Sequence, residues 1–319
     1  MKFKLLTLGF FCLILVQNSY SFQSTPKNTK VGILVLAHGS QNPGWNATIK
    51  DVTKSLDQKY PLEIAFGMAN PYSMQPAIKK LEEQGVNTIV AVQLFVSSFS
   101  PIIRQNEYLL GLRDTLSDTP IPPMPHEMNQ PEMANMDHSK PFELKPLELN
   151  SKVLLTKPLD DHELVAEILF ERIKAVSKKP EIETIMLVAH GPVMDADNDH
   201  WIAALENLGT KIEALQASTG GSKFHNIVSL TVRDDANEEV YETAKQDFRT
   251  AVKVANKNGD ALVIPVLLSK GGVESRYLTR LEGLDYIWGG EAILPHPNVA
   301  KYLEIEVERA LQQIPVVKH

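Results

Sequence analysis

Two short apolar runs, each followed by a histidine and a glycine, constrain the fold of this chain more than any other feature. The first, Val31–Ala37, runs into His38, and the second, residues 184–189, runs into His190. Both runs are rich in Val, Ile and Leu and lack the alternation of polar and apolar residues that a half-exposed strand shows. Such runs are typical of parallel strands that are buried on both faces. They predict two buried parallel strands, each ending at a histidine.

The elements around these runs repeat in the same order. The predicted strands after the first one are 62–66, a strand after Gly85 and 153–158 in one half, and 227–232, a strand after Gly259 and 292–295 in the other. The predicted helices are 45–59, 74–83, 102–112 and 163–176 in the first half, and 199–216, 238–256, 274–281 and 299–311 in the second.

Strands that alternate with helices predict an α/β fold. The repetition predicts two duplicated lobes, residues 30–179 and 180–315, each a small parallel sheet flanked by helices. Ligands bind at the carboxyl ends of the strands in such sheets. We therefore expect a ligand cleft between the lobes, next to both histidines.

The N-terminal 21 residues have the pattern of an export signal. Lys2 and Lys4 precede an apolar run over residues 5–16, and small residues follow at Ser19 and Ser21. This pattern predicts a signal peptide, residues 1–21, and a periplasmic protein without a stable membrane span after cleavage. An uncleaved anchor helix is the alternative. The single cysteine of the chain lies in this segment, which excludes intramolecular disulfides and thiolate zinc sites.

Length and net charge limit the number of domains and the kind of ligand that the protein binds. A chain of 319 residues suggests about two domains. The net charge of −7 argues against a nucleic-acid-binding surface, which needs basic clusters.

Residues 118–150 interrupt the first half with a segment that has no counterpart in the second. Its proline content predicts an exposed insertion without regular structure. Between Met124 and His138 lie four methionines and two histidines, His126 and His138. Thioethers and imidazoles are ligands for soft and borderline metal ions. The insertion is therefore either a metal-capturing segment or a plain linker.

His38 and His190 are the residues that best fit catalysis or metal binding. A neutral imidazole at the end of a buried strand can accept a proton or bind a divalent ion. The alternative is a histidine that only caps or packs its turn. Arg104, Lys270 and Arg276, near the loops after the third strands, are candidates to hold anionic groups of a ligand, or are ordinary solvated helix starts.

Two further sets of residues leave their roles open. His162 and His296 follow the fourth strands, where a loop histidine without a ligand role is favoured. The run 233–235, Arg-Asp-Asp, follows the second strand of the second half. It either braces that turn or forms part of a site.

The motifs of both halves resemble one family. In the first half the motifs are residues 36–40, with the sequence Leu-Ala-His-Gly-Ser, and the later Pro71. In the second half they are residues 187–192 and 267–272. Together they look like the motifs of the class II tetrapyrrole chelatases. The most similar group is the sirohydrochlorin cobaltochelatases of the CbiX type. The resemblance covers nearly all of the chain beyond the signal segment, except the insertion.

The resemblance implies a two-lobed α/β fold that binds a tetrapyrrole in its cleft. It implies insertion of a divalent metal into a sirohydrochlorin-type ring, with Co²⁺ as the expected substrate ion, Ni²⁺ or Fe²⁺ as alternatives, and no organic cofactor. His38 would accept pyrrole protons and help to deliver the metal, and His190 occupies the same position in the second copy. Arg104, Lys270 and Arg276 would bind the carboxylates of the ring.

The sequence departs from the family pattern after the second and third strands. Many members carry a second histidine after the third strand, but residues 97–104 and 269–276 contain none. Met68 stands where the family often has a glutamate. These departures keep a second hypothesis open, an exported carrier that binds metal or tetrapyrrole without catalysis.

Overall fold

The structure is a computed structural model, and it describes residues 29–40, 43–117, 119–122 and 144–314. The signal segment 1–21 and the metal-binding candidates His126 and His138 lie outside these ranges and stay predictions. Within the described part of the chain, no helix is long and apolar enough to cross a membrane.

Two four-stranded parallel sheets form the framework. In the first sheet the strand order is β2-β1-β3-β4, and in the second it is β6-β5-β7-β8. The strands are β1 Val31–Ala37, β2 Leu62–Phe66, β3 Thr88–Leu94 and β4 Lys152–Leu155, then β5 Glu183–Ala189, β6 Asn226–Thr231, β7 Asp260–Val266 and β8 Ile287–Trp288. The two runs that precede the histidines are β1 and β5, equivalent interior strands, so the predicted pair of duplicated parallel sheets is confirmed.

Eight α-helices connect and cover the strands in the described part of the chain. They are α1 Pro43–Asp57, α2 Pro71–Glu83, α3 Pro101–Leu109, α4 Glu163–Val176, α5 Asp195–Ser218, α6 Glu238–Asn258, α7 Gly272–Arg280 and α8 Pro297–Leu311. A short 3-10 turn, Pro180–Ile182, precedes β5. Several helices begin at a polar N-cap, as at Asn70 before α2 and Asn237 before α6, where the side chain accepts a backbone N–H.

The predicted fourth strand of the second half was wrong. Residues 292–295 do not form a strand, and the strand is β8, Ile287–Trp288, paired with β7 at Leu262 and Val263. The apolar residues 292–294 are nevertheless buried, and their backbone bonds to carbonyls just beyond β7. An apolar run indicates burial, and here that burial belongs to a connection rather than to a strand.

The terminal helices of the two copies are exchanged between the sheets. Helix α4 follows β4 of the first sheet but packs against α5 and β7 of the second. Helix α8 follows the second sheet but packs against α1, β3 and β4 of the first. Each sheet is therefore completed by a helix from the other copy. The lobe boundaries 30–179 and 180–315 stay predictions.

Three clusters of buried side chains make the hydrophobic core. The central cluster joins one face of each sheet with α1, α4, α5 and α8. The opposite face of the first sheet packs under α2 and α3, and that of the second under α6 and α7. Both faces of β1 and β5 are thus buried, which explains their unbroken apolar sequences.

The end of the insertion, residues 144–150, is exposed at most positions, as the proline content predicted, but its three leucines are half-buried. Leu144, Leu147 and Leu149 pack against the core cluster under α2 and α3. The backbone N–H groups of Asn150 and Ser151 donate to the Glu82 carboxylate at 2.7 and 2.9 Å. The three leucines bury apolar side-chain area against this cluster. The prolines elsewhere in the segment disfavour helix and strand but do not prevent this packing.

Candidate functional site

The two histidines have the same local geometry at the carboxyl ends of β1 and β5. The Nδ1 atom of His38 lies 2.5 Å from the carbonyl oxygen of Gly39, and that of His190 lies 2.8 Å from the carbonyl oxygen of Gly191. A carbonyl only accepts, so Nδ1 carries the proton and Nε2 of the neutral ring keeps its lone pair. Metal-binding histidines are commonly fixed in this way by a carbonyl on their second nitrogen.

Packing of the second histidine turn requires a glycine. Gly191 has φ +73°, and a Cβ placed there would lie 2.6 Å from the Cβ of Thr231 at the end of β6. The glycine lets the turn lie directly on the neighbouring strand. The backbone position of His190 is therefore fixed by the close contact between its turn and β6.

The loop after β6 closes over the His190 turn. The backbone N–H of Arg233 donates to the carbonyl oxygen of His190 at 2.7 Å, and its Nε donates to that of Pro192 at 3.0 Å. Its Nη1 pairs with Asp195 at 2.7 Å. Arg233 has φ +52°, a left-handed conformation that is uncommon outside glycine. The brace that the run 233–235 suggested is thus present, and Arg233 supplies it.

The other two residues of this run face in different directions. Asp235 places its Oδ2 atom 3.4 Å from Nε2 of His190, and its side chain is 65% exposed. Asp234 instead points inward, where it pairs with Arg280, both side chains being 1% exposed. Arg276 adds a second contact to Asp234 at 3.4 Å. The buried phenol of Tyr277 has its pKa raised well above its ordinary value by burial and by the Asp234 carboxylate.

The corresponding part of the first lobe is built from neutral groups. Gln93 of β3 donates to the Thr156 carbonyl at 3.2 Å and accepts from Asn106 at 3.3 Å. Gln105 donates to the Ala69 carbonyl at 3.0 Å in the loop after β2. Buried amides therefore hold the loop after β2 in the first lobe, whereas a buried ion pair holds the loop after β6 in the second.

The carboxyl edges of the two sheets meet at the loop after β3. Arg104 of α3 binds Asp197 of α5 through two hydrogen bonds of 3.0 and 2.7 Å. Trp201 donates from Nε1 to the Phe99 carbonyl at 2.7 Å, and the ring of Phe99 stacks on that of His200 at 3.8 Å. These contacts place the helix that follows His190 against the first lobe.

The loop after β3 is also tied to its own lobe. Ser98 donates its backbone N–H and its hydroxyl to the carboxylate of Asp160, at 2.7 and 2.5 Å. Burial raises the pKa of Asp160, although the two hydrogen bonds from Ser98 oppose that shift. The loop after β3 is therefore held in place between the segment that follows β4 and helix α5.

The three cationic candidates for ligand binding all contact carboxylates of the chain. Arg104 pairs with Asp197, Arg276 contacts Asp234, and Lys270 pairs with Glu291 at 2.6 Å. Their predicted role with ring carboxylates stays a prediction. It would require each to exchange an internal partner for the ligand or to bind both.

His162 and His296 have the same structural role in the two copies. Each is the N-cap of its helix, α4 or α8, and its Nδ1 accepts the N–H of Leu164 or Asn298 at 3.1 Å. Burial lowers the pKa of His162, and the nearby Arg309 acts in the same direction. Nε2 of His296 contacts Glu171 at 3.1 Å. The favoured interpretation, in which these histidines have no ligand role, agrees with this capping geometry.

The sequence analysis did not identify two residues that form ion pairs around the site. Asp197 and Arg280 belong to helices whose positions were predicted within a few residues, but neither was singled out. An arginine on the apolar side of α7 was the available signal for Arg280, because a buried arginine requires a carboxylate partner.

Comparison with known proteins adds a family match in the first half of the chain and matches to two relatives. Residues 32–107 match the family model CbiX. The sirohydrochlorin cobaltochelatase of Methanococcoides burtonii is 25% identical over 150 residues, which are 46% of this chain and 97% of that relative. The sirohydrochlorin cobaltochelatase of Sulfolobus acidocaldarius is 33% identical over 69 residues, 21% of this chain and 56% of that relative.

Solved structures match the chain over most of its length. The sirohydrochlorin chelatase SirB from Bacillus subtilis subspecies spizizenii, in complex with cobalt, superposes with a TM-score of 0.54 at 14% identity, covering 90% of this chain and 99% of that one. SirB from Bacillus subtilis with Fe³⁺ gives a TM-score of 0.55 with the same identity and coverage. Residues 32–107 thus match the CbiX family, and the chain as a whole has the fold of the class II chelatases.

Proposed function

We propose that this protein inserts a divalent metal ion into a sirohydrochlorin-type tetrapyrrole. The observation that carries the proposal is the repeated histidine turn, in which a glycine carbonyl binds Nδ1 and leaves the Nε2 lone pair of His38 and of His190 available. The fold and the names of the relatives support the same class of reaction.

The chemistry needs a proton acceptor and a releasable metal ligand. The ring loses two pyrrole N–H protons as the divalent ion enters. A neutral imidazole can bind the incoming ion and can also accept a proton. In our proposal His38 and His190 supply these groups from the two lobes, and Co²⁺ is the expected ion.

The test measures the rate of metal insertion by absorbance spectroscopy, with Co²⁺ and sirohydrochlorin as substrates. Replacing both His38 and His190 with Ala should reduce the rate by about 10²–10⁴-fold, the usual contribution of a positioned base. The matched control is His225→Ala. His225 is exposed and lies just before β6, at the amino ends of the strands and away from His38 and His190. The two single variants report which lobe contributes more.

Two outcomes would contradict the proposal. Full activity in the double variant would overturn the assignment of the histidines. Stoichiometric binding of the ring, with no rate above the uncatalysed reaction, would favour the second hypothesis of a non-catalytic carrier.

A further inference from the structure

We propose that the second lobe has a separate binding site for a compact oxyanion, such as a phosphate group, between α6 and the end of α7. A cavity of about 440 Å³ lies there, and its lining includes Tyr241, Lys245, Arg249 and Arg280. Both helices cover the face of the second sheet that points away from the central core cluster. The site therefore has no part in the proposed metal insertion and can be tested without it.

The cationic wall of the cavity follows from the spacing of residues on α6. Tyr241, Lys245 and Arg249 are four positions apart, so they form one stripe along the helix. The Nζ atom of Lys245 lies 6.0 Å from the centre of the Tyr241 ring and pairs with Glu242 at 3.0 Å. The stripe thus presents an aromatic ring and two cations to the same cavity.

The guanidinium of Arg249 is held in place by the end of α7. Its Nη1 atom donates to the carbonyl oxygens of Arg280 and Glu282, at 2.6 and 3.1 Å. These carbonyls orient the group but do not neutralise its charge, and no carboxylate in the described part of the chain forms an ion pair with it. A guanidinium that is fixed and still charged is well suited to bind an oxyanion, because its planar N–H groups are already oriented.

Arg280 supplies a second guanidinium, which is buried. Its side chain is 1% exposed, and its Nη2 atom donates to Asp234. Its Nε and Nη1 atoms have no hydrogen-bond partner among the described residues, and the ring of Tyr241 lies over the guanidinium at 4.0 Å. A buried donor without a partner is costly, so a native protein is expected to provide one. Rotation of the half-buried Tyr241 side chain would open these donors to an anion in the cavity.

The balance of groups in the lining selects the class of ligand. Three cationic side chains stand against one carboxylate, that of Glu282. This balance disfavours a metal ion and favours an anion. A phosphate group offers acceptor oxygens in several directions, so it can accept from an ammonium and two guanidinium groups at once. The volume exceeds that of a phosphate group and falls in the range of small-molecule sites, which leaves room for a substituent.

The experiment is a calorimetric titration of the full chain with inorganic phosphate, with the ionic strength kept constant by chloride. We expect one saturable equivalent. Lys245→Gln should raise its Kd about tenfold, the effect of losing one hydrogen bond between charged groups, and so should Arg249→Gln. Glu282→Gln should lower the Kd, because it removes the carboxylate from the lining.

The charge-matched control is Lys257→Gln, which replaces an exposed lysine in the last turn of α6, outside the lining, and should leave the Kd unchanged. Arg249 also binds the end of α7, so Lys245→Gln decides the test if Arg249→Gln lowers the melting temperature. Tighter binding by Glu282→Gln cannot come from loss of folding, and it separates a ligand site from a structural role.

A parallel titration with a phosphate monoester distinguishes the source of the oxyanion. Tighter binding of the monoester would support a phosphorylated small molecule as the ligand, whereas equal binding would support the free ion. Absence of saturable phosphate binding would overturn the proposal. Equal weakening by Lys257→Gln would also overturn it, because the effect would then be one of net charge.

Discussion

At the scale of single residues, the site depends on backbone positions that side-chain chemistry does not reveal. Gly191 allows the His190 turn to touch Thr231, and Arg233 adopts a left-handed conformation while it holds the same turn. A positive φ costs an ordinary residue about 1–2 kcal/mol, which surrounding contacts must offset. For Arg233 these contacts are the hydrogen bonds and the ion pair around the His190 turn.

Gly191→Ala should lower the free energy of unfolding by about 2–5 kcal/mol, the sum of a positive φ and a steric clash. Gly111→Ala is the matched control. Gly111 has φ +68°, and a methyl group placed on its Cα would have no atom within 4 Å, so only the conformational cost of about 1–2 kcal/mol applies. Urea denaturation measures both. Equal losses would show that the approach to Thr231 is not tight.

At the scale of elements, the exchange of α4 and α8 makes each sheet depend on the other copy. Both helices contribute fully buried leucines to the shared core, Leu169 in α4 and Leu303 in α8. Truncating a buried leucine to alanine costs about 2–5 kcal/mol. Because α8 packs on the first sheet, its weakening should be felt first by strands that lie far earlier in the chain.

Hydrogen exchange measured by mass spectrometry can test this arrangement. Leu303→Ala should speed exchange in β3 more than in β7, because α8 covers the first sheet. Leu169→Ala should do the opposite, because α4 packs against β7. Each variant is the control for the other. Faster exchange confined to the strands of the variant's own copy would contradict the exchanged packing.

At the scale of the whole molecule, Arg104 and Asp197 link the lobes at their carboxyl edges. Their side chains are 23% and 12% exposed, and the pair is bidentate. Charged hydrogen bonds with this geometry are stronger than exposed pairs. Any rotation of the lobes that opened this edge would have to break the pair and the adjacent Trp201 contact.

A double-mutant cycle of Arg104→Ala and Asp197→Ala should give a coupling energy of about 1–2 kcal/mol. The control cycle uses Lys79 and Glu83, an exposed i, i+4 pair at 3.9 Å, for which coupling should stay below about 0.5 kcal/mol. Chemical denaturation provides the free energies. Equal coupling energies in the two cycles would show that the contact between the lobes contributes no more to stability than an exposed surface pair.

The order of amino acids was enough to predict the parts of this protein that depend on local patterns. Apolar runs marked β1 and β5, their repetition marked the two sheets, and the histidines followed directly as the residues at the strand ends. Most helix bounds were also predicted within a few residues, because helix and strand periodicities are read within one segment.

Which distant residues meet could be learned from the three-dimensional structure alone. Arg104 and Asp197 are 93 positions apart, and no periodicity relates them. The same holds for Asp235 beside His190 and for the exchange of α4 and α8. An apolar face on a terminal helix does not specify which of the two sheets it covers, so three-dimensional packing selects the sheet. The buried run 292–294 is a second example. Its apolar residues predict that it is buried, but they do not predict whether it forms a strand or a connection.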